Sequence, residues 1–130
     1  MKNGFTISEV IPAKASEIYA AWLNSEGHAA MTGSPAQVDG NTGGKFTVWD
    51  GYIFGRTLEL ARNQRIVQAW RTSEFPEDAP DSRVEILFEE ISGGTKVTLT
   101  HSDMPENQVE SYRQGWDDFY FKPMKSYFSK

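Results

Sequence analysis

Apolar and polar side chains alternate along most segments between residues 45 and 102, and this pattern constrains the fold more than any other feature of the sequence. One parity collects large apolar side chains, while the intervening positions are mostly Glu, Lys and Thr. The apolar set comprises Phe46, Val48, Val84, Ile86, Phe88, Val97 and Leu99. A period of two places such residues on one face of a strand and leaves the other face in water. The pattern therefore predicts an antiparallel sheet with one buried face.

Turn signals divide this part of the chain into five strands. Asp50-Gly51 and the Ser92-Gly93-Gly94 run are typical of the tight connections in hairpins. The acidic, Pro-containing stretch SEFPEDAPDS is interpreted as an exposed loop. The predicted strands are KFTVW, YIFGRTLEL, RIVQAWR, RVEILFEEI and TKVTLTHS.

A strand and one or two short helices precede the sheet segments. FTISEVI alternates like the later strands, and Pro12 ends it. AKASEIYAAWLN has apolar residues at spacings of three and four, which indicates an amphipathic helix. SEGHAAM is interpreted as a second short helix after a break near Asn24.

The aromatic end of the chain is predicted to be one long helix. Asp103 and Glu106 have the spacing of a capping box, and Pro105 suits a first turn. Pro123 cannot donate a backbone hydrogen bond, so we expect a kink there. Phe121 and Phe128 are expected to lie beside the main apolar stripe. At 100° per residue that stripe contains Val109, Tyr112, Trp116, Phe119, Tyr120, Pro123 and Tyr127.

These elements together predict an α+β helix-grip fold. A curved antiparallel sheet with one apolar face needs a cover, and the C-terminal helix is the long amphipathic element that could supply it. We therefore expect the sheet to wrap around that helix, with the one or two short helices after the first strand. A length of 130 residues fits a single domain, residues 1–130, with one core.

Composition excludes several classes of function. The formal charge of -5 argues against a nucleic-acid partner, since phosphates require a basic face. No segment approaches the roughly 20 apolar residues that span a bilayer, and the N-terminus has no secretory signal. The chain has no cysteine, which excludes disulfides and thiolate metal sites. We therefore expect a cytoplasmic protein without a cofactor, a membrane anchor or bound nucleic acid.

The order of motifs resembles a known family. GGKFTVWDGYIFGRTLEL, RIVQAWR, the hairpin GGTKVTLTHSDMP and the final GWDDFYFKPMKSYF are together similar to the heat-shock protein 90 ATPase-activator homologues. That family belongs to the START-like superfamily of polyketide cyclases and lipid-transfer proteins. The resemblance implies the helix-grip fold, with a gap between sheet and helix in many members. It also implies a chaperone partner, although in the eukaryotic co-chaperones a chaperone-binding domain precedes this one, and 130 residues leave no room for it.

A cavity between the sheet and the C-terminal helix is the predicted site. Tyr112, Trp116 and Tyr120 either line such a cavity or simply fill the core. Gln68 is a ligand contact if it faces inward and has no role if the strand register is shifted by one residue. The candidate residues are Phe46, Val48, Leu58, Gln68, Trp70, Ile86, Phe88, Leu99, His101, Tyr112, Trp116 and Tyr120.

His101 is the polar residue of greatest interest because it continues the inward parity of the last strand. It could anchor a ligand or act as an acid or base near neutral pH. The alternative is a structural histidine that bonds to Tyr112 or to backbone near the start of the helix. The sequence offers no further catalytic set, because Ser102 must point away from His101 in an extended strand.

Other site classes are poorly supported. His28 and His101 are the two histidines, so a metal site would need several carboxylates as well. DGNTGGK departs from the phosphate-loop pattern at Asp39 and Phe46 and is better interpreted as a strand connection.

Three functions remain, in decreasing order of support. The first is binding of a small apolar ligand under the C-terminal helix. The second is an interaction module that regulates a chaperone ATPase, which rests on the resemblance. The third is a cyclase-type enzyme that uses His101 with Tyr112, which requires His101 to face an open cavity. An enzyme is the less supported interpretation, and the sequence leaves the oligomeric state open.

Overall fold

The computed structural model describes residues 3–129 and shows a seven-stranded antiparallel sheet. Its strand order is β1-β7-β6-β5-β4-β3-β2. The strands are β1 Phe5–Ile11, β2 Ala36–Val38, β3 Lys45–Val48, β4 Ile53–Ala61, β5 Arg65–Thr72, β6 Ser82–Ile91 and β7 Gly94–Ser102. Two short helices, α1 Ala15–Trp22 and α2 Ser25–Thr32, lie between β1 and β2. The C-terminal helix, residues 106–128, covers the apolar face of the curved sheet, which confirms the helix-grip fold.

The alternation of side chains accounts for the core. Ile86 of β6 pairs with Leu99 of β7, and both are fully buried under the helices. Their outward neighbours Leu87 and Thr98 pair on the other face. The short edge strand β2 was not predicted, because three residues are too few to show a period of two.

β4 contains an irregularity that corrects one prediction. Its pairing with β5 shifts between Thr57 and Glu59, so that Leu58 has no partner in the ladder. Thr57 takes the inward position opposite Gln68 and is fully buried. Leu58 was predicted to face the cavity, but the bulge turns it outward and leaves 43% of it exposed.

The C-terminal helix begins differently from the prediction. It opens with a 3₁₀ turn, Glu106–Gln108, preceded by Pro105. No side chain caps this turn, so the predicted capping box of Asp103 and Glu106 is wrong. Asp103 has a φ of 63°, which places it in a left-handed bend between β7 and the helix rather than at a helix N-cap.

The middle of the C-terminal helix is π-helical. α3 Val109–Trp116 continues into the π-helical segment Asp117–Phe121 and then into α4 Lys122–Phe128. The irregularity expected from Pro123 therefore lies in the turn that precedes it. Within residues 3–129, no helix has the length and apolar character needed to cross a bilayer.

The π-helical segment changes which aromatic residues are buried. A π turn holds more residues than an α turn, so the stripe extrapolated at 100° per residue does not continue through it. Phe119 and Tyr127, predicted on the stripe, are 55% and 40% exposed. Phe121 and Met124 are buried instead.

The loop between β5 and β6 is better ordered than its composition indicated. Phe75 was predicted to lie in an exposed loop but is buried against Trp70 and Tyr112. Arg71 holds the loop through its guanidinium, which donates to the backbone carbonyls of Pro76 and Ala79 at 3.0 and 2.9 Å.

Candidate functional site

The space directly beneath the C-terminal helix is filled by aromatic rings. Tyr120 stacks on Trp22 with ring centroids 5.0 Å apart, and Trp116 lies 4.7 Å from Tyr120 and 6.2 Å from Trp22, so the three rings form one cluster. A void of about 10 Å³ remains between the rings and the sheet, which is about the space of one water molecule. It is lined by Trp22, His28, Val38, Phe46, Val48, Gln68, Trp70, Trp116 and Tyr120.

A larger cleft lies at the side of the helix, next to the turn that joins β3 to β4. Its volume is about 340 Å³, and seven of its ten lining residues are aromatic. The lining residues are Trp49, Tyr52, Ile53, Trp70, Ser111, Tyr112, Gly115, Trp116, Phe119 and Tyr120. The strand ends, the turn and the C-terminal helix each supply part of this wall.

The structure divides the predicted site residues into four groups. Trp70, Tyr112, Trp116 and Tyr120 line the cleft. Three others reach the small void instead, namely Phe46, Val48 and Gln68. Four are buried core residues that border neither space, namely Ile86, Phe88, Leu99 and His101. The last is Leu58, on the outer face of the sheet.

Gln68 faces inward and has a structural partner. Its side chain is 4% exposed, and its Nε2 donates to Thr57 Oγ1 at 3.3 Å. This hydrogen bond joins β4 to β5 at the bulge, where Thr57 takes the inner-face position that was predicted for Leu58.

His101 is fully buried, and both of its ring nitrogens are bonded. Trp116 Nε1 donates to His101 Nδ1 at 3.0 Å, which places the imidazole proton on Nε2. Nε2 donates to Ser82 Oγ at 2.8 Å, and Ser82 Oγ donates in turn to the carbonyl oxygen of Trp70 at 2.5 Å. Burial lowers the pKa of His101 to about 3, so the ring is neutral at physiological pH.

This arrangement does not fit an acid–base role for His101. Ser82 and His101 are close enough to resemble a nucleophile and its base, but the serine proton is directed to a backbone carbonyl. The ring does not border the cleft, and Tyr112 bonds to Thr72 and Gln108 rather than to the histidine. His101 therefore has a structural role, as the predicted alternative had it, but its partners are Ser82 and Trp116 rather than Tyr112 or the backbone.

His28 forms a second buried network, which includes Tyr120. Its Nδ1 donates to the carbonyl oxygen of Trp22 at 3.0 Å, and Tyr120 donates its hydroxyl proton to Nε2 at 2.8 Å. Burial lowers the pKa of His28 to about 4. Burial also raises the pKa of Tyr120, while the neighbouring Trp49 indole lowers it. Both side chains are neutral, and the hydrogen bond between them holds the Tyr120 ring in place beneath the helix.

Trp49 has the most unusual backbone and hydrogen-bonding geometry in the cleft wall. Its φ of 53° lies in the left-handed region, which is unusual for a bulky side chain. Among the described residues, its Nε1 is the one buried side-chain polar atom without a hydrogen-bond partner. Its ring meets Phe119 edge to face, with centroids 5.4 Å apart. The indole N–H acts on the Tyr120 hydroxyl, whose pKa it lowers, but does not reach hydrogen-bond geometry. The left-handed backbone and the incomplete pairing make Trp49 the residue of the wall that its structural contacts explain least.

Polar groups gather at one end of the cleft. Tyr112 donates its hydroxyl proton to Gln108 Oε1 at 2.6 Å and accepts from Thr72 Oγ1, also at 2.6 Å. Gln108 Nε2 donates to the backbone carbonyl of Glu74 at 3.0 Å. The hydroxyl of Tyr52 bonds to the Glu74 carboxylate. This network ties the loop after β5 to the start of the C-terminal helix.

The residues that form the outer part of the cleft were not predicted from the sequence. Trp49 and Tyr52 flank the Asp50-Gly51 turn, where two aromatic residues beside a tight turn were a usable signal. Phe119 was placed on the buried stripe because the π-helical segment has no simple signature in sequence. Within residues 3–129, no group of three or more His, Asp or Glu side chains could hold a metal ion.

A family model and a relative from the human proteome point to the same family. Residues 12–129 match the family described as Activator of Hsp90 ATPase homolog 1-like protein. The human Activator of 90 kDa heat shock protein ATPase homolog 1 is 29% identical over 123 residues, which are 95% of this chain and 36% of the human protein. The chain thus spans about a third of the length of this relative.

Two solved structures extend the likeness to the fold. The crystal structure of an HSP90 activator from Plasmodium falciparum is 25% identical, with a TM-score of 0.86, over 97% of this chain and 96% of that chain. The solution structure of the Aha1 dimer from Colwellia psychrerythraea has a TM-score of 0.78 at 17% identity, over 95% and 94% of the two chains. The second likeness shows the fold alone. With the match over residues 12–129, the chain belongs to the family of Activator of Hsp90 ATPase homolog 1-like proteins.

Proposed function

We propose that this protein binds a small apolar ligand in the cleft between the C-terminal helix and the β3–β4 turn. The observation that carries the proposal is the cleft itself, with a volume of about 340 Å³ and a mostly aromatic lining. Ligand sites in proteins are typically of roughly 300–1,000 Å³, lined by apolar and aromatic groups with a few polar ones. Tyr52, Ser111 and Tyr112 supply hydroxyl groups to this wall.

The condition of Trp49 supports a ligand at this place. A strained backbone and an unpaired buried donor persist where a function compensates for their cost. Phe119 supports it as well. Its ring packs on Trp49 but is 55% exposed, and a ligand in the cleft would bury more of this apolar surface.

Gly115 offers a way to fill the cleft without disturbing the fold. It lines the cleft from α3, and a Cβ atom at this position would meet only Phe119 Cδ2, at 3.8 Å, within 4 Å. A leucine here extends into open space and improves helix propensity. The variant Gly115→Leu therefore separates binding from stability.

The test is titration with the neutral apolar fluorophore N-phenyl-1-naphthylamine, followed by its emission. We expect saturable 1:1 binding to the native chain and loss of that binding in Gly115→Leu, with the melting temperature maintained. Gly115→Ala is the matched control and should keep binding, because one methyl group leaves most of the cleft open. Leu58→Ser should also keep it, since Leu58 lies exposed on the other face of the sheet. Equal binding by the native chain and Gly115→Leu would contradict the proposal.

A second function, regulation of a chaperone ATPase, is favoured by a separate observation. The HSP90 activator from Plasmodium falciparum resembles this chain along nearly the whole of both chains, which makes the single domain the common unit. Addition of this protein to the Hsp90-type chaperone of its own host should then raise the rate of ATP hydrolysis. A rate that stays unchanged at saturating concentrations would exclude this function.

A further inference from the structure

The charged groups around the cleft bear on which class of ligand it could hold. None of its ten lining residues is a Lys, Arg, His, Asp or Glu. The acidic side chain that bonds to the wall is Glu74, whose carboxylate accepts from the Tyr52 hydroxyl at the polar end of the cleft. A carboxylate at one end of the wall and the partial negative charge of aromatic ring faces both favour a positively charged ligand group over a negative one.

Glu74 is held at this end by its backbone. Its N–H donates to Thr72 Oγ1 at 3.1 Å, and its carbonyl oxygen accepts from Gln108 Nε2 at 3.0 Å. The charge of Glu74 reaches both tyrosines of the wall. Burial is the main cause that raises the pKa of Tyr52 and of Tyr112, and the Glu74 carboxylate raises both further.

Three basic side chains on segments next to the cleft lie within 4 Å of carboxylates other than Glu74. Arg71 bonds to Asp81 at 2.8 Å, beneath the loop after β5. On the C-terminal helix, Lys122 Nζ lies 3.0 Å from Asp118, and Arg113 lies 3.8 Å from Glu110. An anionic ligand head at the polar end would therefore meet Glu74 without a cation to balance it.

The rings of the wall are set at steep angles to one another. Trp70 and Tyr112 are nearly perpendicular, with an interplanar angle of 83°, and Trp49 and Phe119 meet at 67°. In such pairs the edge of one ring abuts the face of the next, so the wall presents faces in more than one direction. Alkylated ammonium ions bind to aromatic faces of this kind through cation–π attraction.

We propose that the ligand of this cleft is a small organic cation, an alkylated ammonium group whose apolar body lies on the aromatic wall and whose charge faces Glu74. This inference rests on the proposed function and refines its ligand from an apolar molecule to one with an apolar body and a single cationic group. A neutral ligand of the same shape gains the same apolar contacts but lacks the attraction to the rings and to the carboxylate.

Choline and 3,3-dimethylbutan-1-ol test the inference, because they share a shape and differ in charge. Binding is followed on the ¹⁵N-labelled full chain through the indole N–H signals of its four tryptophans. We expect signals of the cleft residues Trp49, Trp70 and Trp116 to shift, with choline binding at least about threefold more tightly than the alcohol. Trp22, which lies outside the cleft, should respond least.

Two matched variants assign the preference to Glu74. Glu74→Gln keeps a hydrogen-bond acceptor for Tyr52 but removes the charge, so the preference for choline should fall toward the part supplied by the rings. Glu77→Gln removes the same charge from the same exposed loop and should leave the preference unchanged.

Equal or tighter binding of the alcohol to the native chain would overturn the inference. So would an unchanged preference in Glu74→Gln. Either result leaves the proposed function standing as long as N-phenyl-1-naphthylamine binds and Gly115→Leu abolishes its binding, so failure of the charge preference is distinguishable from failure of the cleft as a site.

Discussion

The interior beneath the C-terminal helix and the cleft beside it share Trp116 and Tyr120, yet they differ in how completely they are packed. In the interior the rings leave about 10 Å³, and both buried histidines have partners on both ring nitrogens. In the cleft about 340 Å³ stays open, and Trp49 keeps an unpaired N–H. Within one fold, the satisfied region is structural and the unsatisfied region is the better candidate for function.

Replacement of Trp116 should have the largest effect on stability. Trp116→Leu removes an aromatic side chain that is 3% exposed and leaves His101 Nδ1 without its donor. We expect the free energy of unfolding to fall by about 4 kcal/mol or more, as measured by urea denaturation.

Phe119→Leu is the matched control three residues along the same helix. Its ring is mostly exposed, so the same measurement should show a loss below about 1 kcal/mol. Similar losses in the two variants would mean that the interior and the cleft are not distinct in the way described.

The sequence predicted the interior much better than the cleft, for a physical reason. Burial of one sheet face imposes a period of two that continues over many residues, so positions such as Ile86, Leu99 and His101 could be assigned inward before the structure was known. Local irregularities interrupt such a period, and they have no simple signature in the sequence. The bulge beside Leu58 and the π-helical segment around Phe119 each shift the pattern by about one residue, and each produced a wrong placement.

The cleft was missed because it lies between elements rather than on one of them. Trp49 and Tyr52 come from a turn, and Gly115 comes from a helix more than sixty residues later. Their proximity depends on how far the C-terminal helix extends across the sheet, which no periodicity encodes. A family resemblance supplied the expectation of a gap between sheet and helix, but not its position.

The second prediction concerns pH and sharpens the description of the interior. His28 and His101 have pKa values of about 4 and about 3 in the folded protein, against about 6.5 when unfolded. The unfolded chain therefore binds more protons below pH 6.5, and stability falls as the pH falls toward the folded values. At pH 5, each histidine should lower the free energy of unfolding by about 2 kcal/mol relative to its value at pH 8.

Urea denaturation between pH 5 and 8 measures this slope in the native chain and in His28→Asn and His101→Gln. Each variant should lose about half of the slope between pH 5 and 6, whatever its stability at pH 8. An unchanged slope in both variants would show that neither histidine stays neutral in the folded protein.

The smallest predicted effect concerns the two helical glycines Gly115 and Gly27, and it distinguishes the cleft wall from a packed helix contact. A Cβ atom at Gly115 meets one ordinary contact, at 3.8 Å, so Gly115→Ala should raise the free energy of unfolding by about 0.5–1 kcal/mol through helix propensity. At Gly27 in α2 the same atom would lie 2.8 Å from Ala21 Cα, so Gly27→Ala should be destabilising. Thermal unfolding of the two variants compares the signs. A loss of stability in Gly115→Ala would mean that the helix is closely packed at this position, which would contradict an open cleft beside Gly115.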